Sequence, residues 1–205
     1  MKIKVCGMRE PQNIQALSAL GVDYMGLIFY EKSKRFVQEG TANADLKKVG
    51  VFVNEEIDKV EILAERHKLH ALQIHGDETP GYCRELQKKG YKIFKAFRVD
   101  EGFDFEDTKP YEAFCELFIF DAKGKDYGGN GISYDWSVLQ KYQGETDFLL
   151  SGGIKPDSVE RIQTFKHDKC VGLDLNSGFE IEPALKNISS LKKFIEEVKT
   201  LDIRL

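Results

Sequence analysis

No stretch of this sequence is apolar for long enough to cross a bilayer, and Met1 to Val5 alternates apolar and basic residues where a secretory signal would carry a long apolar run. A membrane protein and an exported one are therefore not expected. Cysteine is sparse: Cys6, Cys83, Cys115 and Cys170 lie far apart with no Cys-x-x-Cys pair, which leaves no zinc signature and no small-domain disulfide framework. A reduced, cytoplasmic protein is the simplest expectation. Excess positive charge is also missing; the net charge of −4 speaks against nucleic acid or an anionic membrane as the main partner. Like charges occur as short pairs such as Lys47-Lys48 and Lys88-Lys89, not as a tail. No linker rich in Pro, Gly or Ser divides the 205 residues, so one domain over residues 1–205 is expected. What is present, 41% hydrophobic and 31% charged residues, suits an ordinary globular chain with one sizeable core.

The chain repeats a short apolar run, a turn and an amphipathic stretch. The runs are Ile3 to Cys6, Tyr24 to Phe29, Val49 to Val53, Ala71 to Ile74, Lys92 to Phe97, Leu117 to Phe120, Phe148 to Leu150 and Val171 to Leu175, eight in all. Their Val, Ile, Leu and Phe content suits strands covered on both faces, as in a parallel sheet. Helical patterns fall between them at Gln12 to Leu20, Asp58 to His67, Thr79 to Lys89, Pro156 to Phe165 and Leu185 to Leu201. Three connections are weaker. Gln38 to Lys47 is polar and carries Gly40, which predicts a short or distorted helix; Phe103 to Cys115 is interrupted by Pro110; Asp135 to Tyr142 allows only about two turns.

Strands alternating with helices specify parallel βαβ units. Eight units at about 25 residues each predict a closed (β/α)₈ TIM barrel near its lower size limit. A doubly wound open sheet is the rival, but it more often has five or six strands. In a barrel, function belongs to the carboxyl ends of the strands, which turns the sequence into a short register of candidates.

Ser151-Gly152-Gly153-Ile154 follows the seventh strand and Asn176-Ser177-Gly178 the eighth. Glycines let backbone N–H groups approach a phosphate, and a following helix N-terminus adds favourable partial charge. Either loop alone is an ordinary Gly turn; both at these two strands predict a phosphate site. Cys6 ends the first strand. A free Cys is commonly an inert small hydrophobe, but at the rim a thiolate could serve as a base if nearby positive charge favours it. The other three cysteines are expected to be structural. Asp121 directly follows the apolar run Leu117 to Phe120, poised at a barrel mouth where partial desolvation favours an acid role. Asp126 and Asp135 are nearby rivals, Asp135 reading as a helix cap. Gly128-Gly129-Asn130-Gly131 lacks the Gly-x-Gly-x-x-Gly spacing and reads as a mobile, ligand-adjacent loop. The cluster Lys32-Ser33-Lys34-Arg35 would ordinarily be solvated surface; after the second strand, Arg35 could pair a substrate carboxylate bidentately. His75 has no companion ligands at metal spacing, so no metal is expected.

Together these segments resemble the phosphoribosylanthranilate isomerase family. Lys4-Val5-Cys6-Gly7-Met8-Arg9, Gly26 to Tyr30 leading to Ser33-Lys34-Arg35, Gly50 to Asn54, Leu72 to Gly76, Gly128 to Gly131 through Asp135-Trp136, and Ser151 to Ile154 fall in family order across nearly the whole chain. The resemblance implies the Amadori rearrangement of an aminoaldose phosphate in tryptophan biosynthesis, with Asp121 as acid and Cys6 as base. It further implies Arg35 on the anthranilate carboxylate, Gln73 and His75 lining the pocket, Gly152, Gly153, Asn176 and Ser177 around the phosphate, and Asp174 touching substrate. No metal or organic cofactor is implied, because the substrate nitrogen is the electron sink. Asn176 stands where the family usually has Ser, Glu31 where Pro is frequent, and Ile132 where Lys is frequent; none removes a catalytic group.

Two other readings compete. A two-aspartate aminoaldose isomerase would need Asp at the end of strand one, where Cys6 stands. A non-catalytic phosphosugar-binding barrel would keep the phosphate loops and need neither Cys6 nor Asp121. The expected partner is a small phosphosugar, and a monomer is the expected assembly, with a homodimer as the alternative.

Overall fold

The computed structural model describes residues 1–38, 44–124 and 134–200. Eight parallel strands close into a barrel: β1 (Lys2–Val5), β2 (Tyr24–Ile28), β3 (Lys47–Phe52), β4 (Ala71–Ile74), β5 (Ile93–Val99), β6 (Leu117–Ala122), β7 (Phe148–Leu150) and β8 (Cys170–Leu175). Each pairs with its sequence neighbour, and β8 returns to β1 with Lys4 opposite Asp174. This is the predicted TIM barrel.

Side chains alternate across a strand, so each strand sends one set outward under the helices and one set into the barrel. Ile3, Val5, Leu27, Leu72, Phe118 and Leu173 belong to the large outer core. Tyr24, Val49, Ala71, Phe94, Leu117 and Leu149 pack in the barrel interior as a separate, wholly apolar cluster. Cys6, Ile28 and Val51 form a third, small cluster. They follow Lys4, Gly26 and Val49 by one alternation each, which places them in the layer above, toward the strand carboxyl ends.

The helices α1 (Pro11–Ser18), α2 (Ile57–His67), α3 (Pro80–Lys88), α4 (Val159–Thr164) and α5 (Ile188–Thr200) lie where the 3.6-residue pattern predicts, with two instructive trims. α4 begins at Val159, not Pro156, because residues 156–158 close a turn in which Ser158 Oγ accepts from Lys155 N–H at 2.9 Å. α5 begins at Ile188, not Leu185. Leu185–Lys186 (β10) instead pairs antiparallel with Glu180–Glu182 (β9), and Asn187 Oδ1 then accepts from Ser190 N–H at 3.0 Å to start the helix. The two short connections fold as 3₁₀ turns, Phe105–Tyr111 and Trp136–Lys141, the second capped by Asp135 as expected. Pro110, without an N–H, sits inside the first. In the predicted Gln38 to Lys47 helix, Gln38 and residues 44–46 are not helical and Lys47 already belongs to β3. Gly40 lies outside the described residues, as do Asp126, Ile132 and the segment Gly128 to Gly131. No helix among the described residues is long and apolar enough to cross a membrane.

Candidate active site

A pocket opens at the carboxyl ends of the strands, lined by the ten residues that the resemblance implies for the site: Cys6, Arg35, Gln73, His75, Asp121, Gly152, Gly153, Asp174, Asn176 and Ser177. They come from six different strands or the loops after them, so barrel closure alone assembles the site.

Cys6 forms the floor with Ile28 and Val51. Its neighbour across the β1–β2 pair is Gly26, where a Cβ would lie 2.7 Å from the thiol sulfur; the thiol occupies the space a side chain would take. Burial pushes the Cys6 thiol up, and Lys4 and then Lys186 pull it back while Asp174 pushes the same way as burial. Lys4 lies below, fully buried, its Nζ donating to Asp174 Oδ1 at 2.9 Å. Burial works against the Lys4 charge, but Asp174 and Cys6 outweigh it and hold the ammonium above its ordinary value. Asp174 is pushed up by burial, with Lys4 opposing. One cation thus serves two acids in a dry site, and each acid makes the other harder to ionise.

Asp121 stands across the mouth with its side chain 13% exposed. Its Oδ1 accepts from its neighbour Ala122 N–H at 3.0 Å and from Ser151 Oγ at 3.2 Å. Oδ2 is left facing the pocket, 3.5 Å from His75 Nε2. Gln73 Nε2 lies 2.7 Å from His75 Nδ1, a contact that holds the ring with Nε2 turned toward Asp121.

The two glycine loops meet. Gly152 and Gly153 have φ of +83° and +72°, a left-handed turn open to glycine. Gly178 packs directly on the Ile154 carbonyl, where a Cβ would collide. Because α4 starts at Val159, its N-terminus is set back from Gly153. Asn176 is partly committed, its Oδ1 accepting from Lys186 Nζ at 2.8 Å. Among the described residues, no group of three or more His, Cys, Asp or Glu is placed to hold a metal ion.

Arg35 reaches the pocket, but its fork is already engaged. Nε and Nη2 donate to the two oxygens of Glu180 at 2.8 and 2.6 Å. Glu180 also accepts from Lys186 Nζ at 2.6 Å, and that lysine sits beside Gly7. Burial pulls Lys186 down to about 8 despite Glu180, whereas burial of Glu180 is overcome by Arg35 and Lys186, which hold it below the ordinary carboxylate range. Lys4, Glu180 and Lys186, which hydrogen-bond residues of the pocket wall, are the charged neighbours that sequence reasoning passed over. Lys4 was legible, being two residues before Cys6 and so on the same face; the β9–β10 hairpin that carries the others was hidden in a helical pattern.

Residues 3–197 match the family model described as N-(5'phosphoribosyl)anthranilate (PRA) isomerase. The N-(5'-phosphoribosyl)anthranilate isomerase of Parabacteroides distasonis is 52% identical over 206 aligned residues, which cover 97% of this chain and 93% of that one. A crystal structure of phosphoribosyl anthranilate isomerase from Thermotoga maritima superposes with a TM-score of 0.82 at 30% identity, covering 97% of this chain and 98% of that one. Another, 28% identical with a TM-score of 0.79 and the same coverage, holds reduced 1-(o-carboxyphenylamino)-1-deoxyribulose 5-phosphate. A barrel with this mouth, matched over nearly its whole length, belongs to the N-(5'-phosphoribosyl)anthranilate isomerase family.

Proposed function

We propose that this chain catalyses the Amadori rearrangement of N-(5'-phosphoribosyl)anthranilate to 1-(2-carboxyphenylamino)-1-deoxyribulose 5-phosphate in tryptophan biosynthesis, with Asp121 as acid and Cys6 as base. The observation that carries the reading is that Cys6, the Asp121 carboxylate and both glycine loops line one pocket. Asp121 Oδ2 donates a proton to the furanose ring oxygen. The C1–O bond breaks as the anthranilate nitrogen forms a C1=N bond. Cys6 then takes the C2 proton; the C2–H electrons become a C1=C2 bond and the imine pair returns to nitrogen. The resulting enolamine tautomerises to the ketose, so C2 is oxidised and C1 reduced within one molecule. His75 Nε2–H supports the Asp121 carboxylate after it gives up its proton. The Nη1 edge of Arg35, left clear by Glu180, takes the anthranilate carboxylate, and loop N–H groups at residues 152–153 and 176–178 take the phosphate.

The ligand class is a small phosphosugar, in keeping with the product analogue held by the relative of known structure. Four unpaired cysteines suit a reducing cytoplasm, and a monomer is the assembly we propose, with light scattering as the check. The test of function is turnover, read as decay of substrate fluorescence with EDTA present. Cys6→Ala and Asp121→Asn should each lower kcat by roughly 10²–10⁴-fold, the usual worth of a general acid or base. Either variant turning over within a few-fold of wild type would end the assignment. No turnover by the folded wild type would instead favour a non-catalytic phosphosugar-binding barrel.

A further inference from the structure

We propose that Lys4 is a positioning residue whose single buried ammonium is shared between Asp174 and Cys6, so that the Lys4–Asp174 pair governs how readily Cys6 releases its proton. The inference rests on the reading of Cys6 as the base. Lys4 precedes Cys6 by two residues and shares its interior face of β1. It is the direct cross-strand partner of Asp174 at the seam where β8 meets β1. The ion pair is 2.9 Å long with the lysine wholly out of water, and Cys6 lies one alternation further along the same face, so the ammonium is the cation that acts most strongly on its sulfur.

Packing does not require a charge there. The interior layer below is built from Tyr24, Val49, Ala71, Phe94, Leu117 and Leu149, and an apolar side chain at position 4 would extend it. Buried ion pairs are seldom better for stability than well-packed apolar residues. What an ammonium adds is an attraction to sulfur that strengthens when the thiol becomes a thiolate. Asp174 competes for the same cation. Removing the lysine must therefore make Cys6 harder to ionise, and neutralising the aspartate must make it easier. A pair that only pins barrel register has no reason to act with opposite signs.

The other charged groups around Cys6 stay constant in such a comparison. Lys186 approaches from β10 and Arg35 from the segment after β2, both tied to Glu180. Asp121 on β6 and His75 after β4 line the same pocket and act on Asp174 through their charges, Asp121 raising it and His75 lowering it.

The test compares wild type, Lys4→Met and Asp174→Asn. Carbamidomethylation of Cys6 by iodoacetamide is followed across neutral to alkaline pH by mass spectrometry of the Cys6 peptide, which separates it from the other three cysteines. The midpoint should rise by about one pH unit or more in Lys4→Met, roughly a tenfold loss of reactive thiolate at neutral pH, and fall in Asp174→Asn. The acid limb of the kcat/KM profile should move with it in both variants. Midpoints that coincide with wild type, or that shift in the same direction, would overturn the inference. If Lys4→Met does not fold, Asp174→Asn decides alone: a downward shift supports the shared cation, and no shift or an upward one removes it. Midpoints that move as expected while the kcat/KM limb stays put would uphold the electrostatics and overturn Cys6 as the base.

Discussion

Glu180 holds two cations at the pocket rim, and replacing it with Gln keeps the shape while removing the charge. The Arg35–Glu180 pair is almost fully buried, with side chains 10% and 6% exposed, and both Arg35 nitrogens are within 2.8 Å. Removing one partner of a buried pair costs roughly 3–5 kcal/mol because the other charge is left in low dielectric. A Gln carbonyl still accepts one hydrogen bond, so about 3 kcal/mol is the working figure, a fall in Tm of roughly 6–12 °C for a domain of this size. The cost should depend on pH. Lys186 titrates near 8 in the fold, pulled down by burial, and ordinarily near 10.4 when unfolded. At about pH 6 the wild type carries Arg35 and Lys186 both charged against Glu180; in Glu180→Gln both lose their anion, and Lys186 must either stay charged and unpaired or shed a proton that the unfolded chain keeps. At about pH 9 Lys186 is already largely neutral in the native wild type, and only the Arg35 pairing is lost. Urea denaturation at the two pH values should therefore show the larger destabilisation on the acid side. Turnover should fall as well, since an unsupported Arg35 drifts, and a misplacement near 1 Å is worth about 10²-fold in kcat/KM. A loss below about 1 kcal/mol at both pH values, or a larger loss on the alkaline side, would refute this account of the rim.

Gly26→Ala would set a Cβ 2.7 Å from Cys6 Sγ and 2.9 Å from its Cα, so the β1–β2 pair must spread. Equilibrium unfolding should show a loss of roughly 1–3 kcal/mol, and kcat should fall with it; an unchanged kcat would mean that the thiol needs no fixed seat. Gly152→Ala meets the Ala122 backbone nitrogen at 2.6 Å from a left-handed turn. The expected outcome is a raised KM for the phosphorylated substrate and weaker competition by inorganic phosphate, and a KM equal to wild type would move the phosphate elsewhere.

Much of this molecule was readable because two periodicities do different work. All eight strands and five helices announced themselves, since a strand covered on both faces must be apolar and a helix over it must be so every third or fourth residue. The misreadings share a cause. Leu185 continues the apolar spacing of α5, yet Glu180 and Lys186 bury their charges on each other and draw that segment into a hairpin. Pro156 looked like a helix start, but Ser158 Oγ satisfies the Lys155 N–H and delays it to Val159. Tertiary ion pairs and side-chain caps leave no periodic trace, so the rim built on them was invisible where the strand ends were not. Arg35 shows the limit most clearly: its position was legible, and its partner 145 residues away was not.

The barrel closes by joining its first strand to its last, with Lys4 and Asp174 at the join, 170 residues apart. Contacts so distant in sequence are late to form, because the chain between them must already be ordered or its freedom given up at once. Cys6 follows the first strand and is synthesised ahead of the other seven, yet the carboxylate beneath it and the Lys186 hairpin beside it arrive only with the final strand and the turn beyond. Until then the sheet has two open edges and a buried lysine has no counter-ion. Chemical competence in this fold is therefore acquired in the same step as barrel closure, and a chain stalled before β8 presents a reactive cysteine without the surroundings that give it a task.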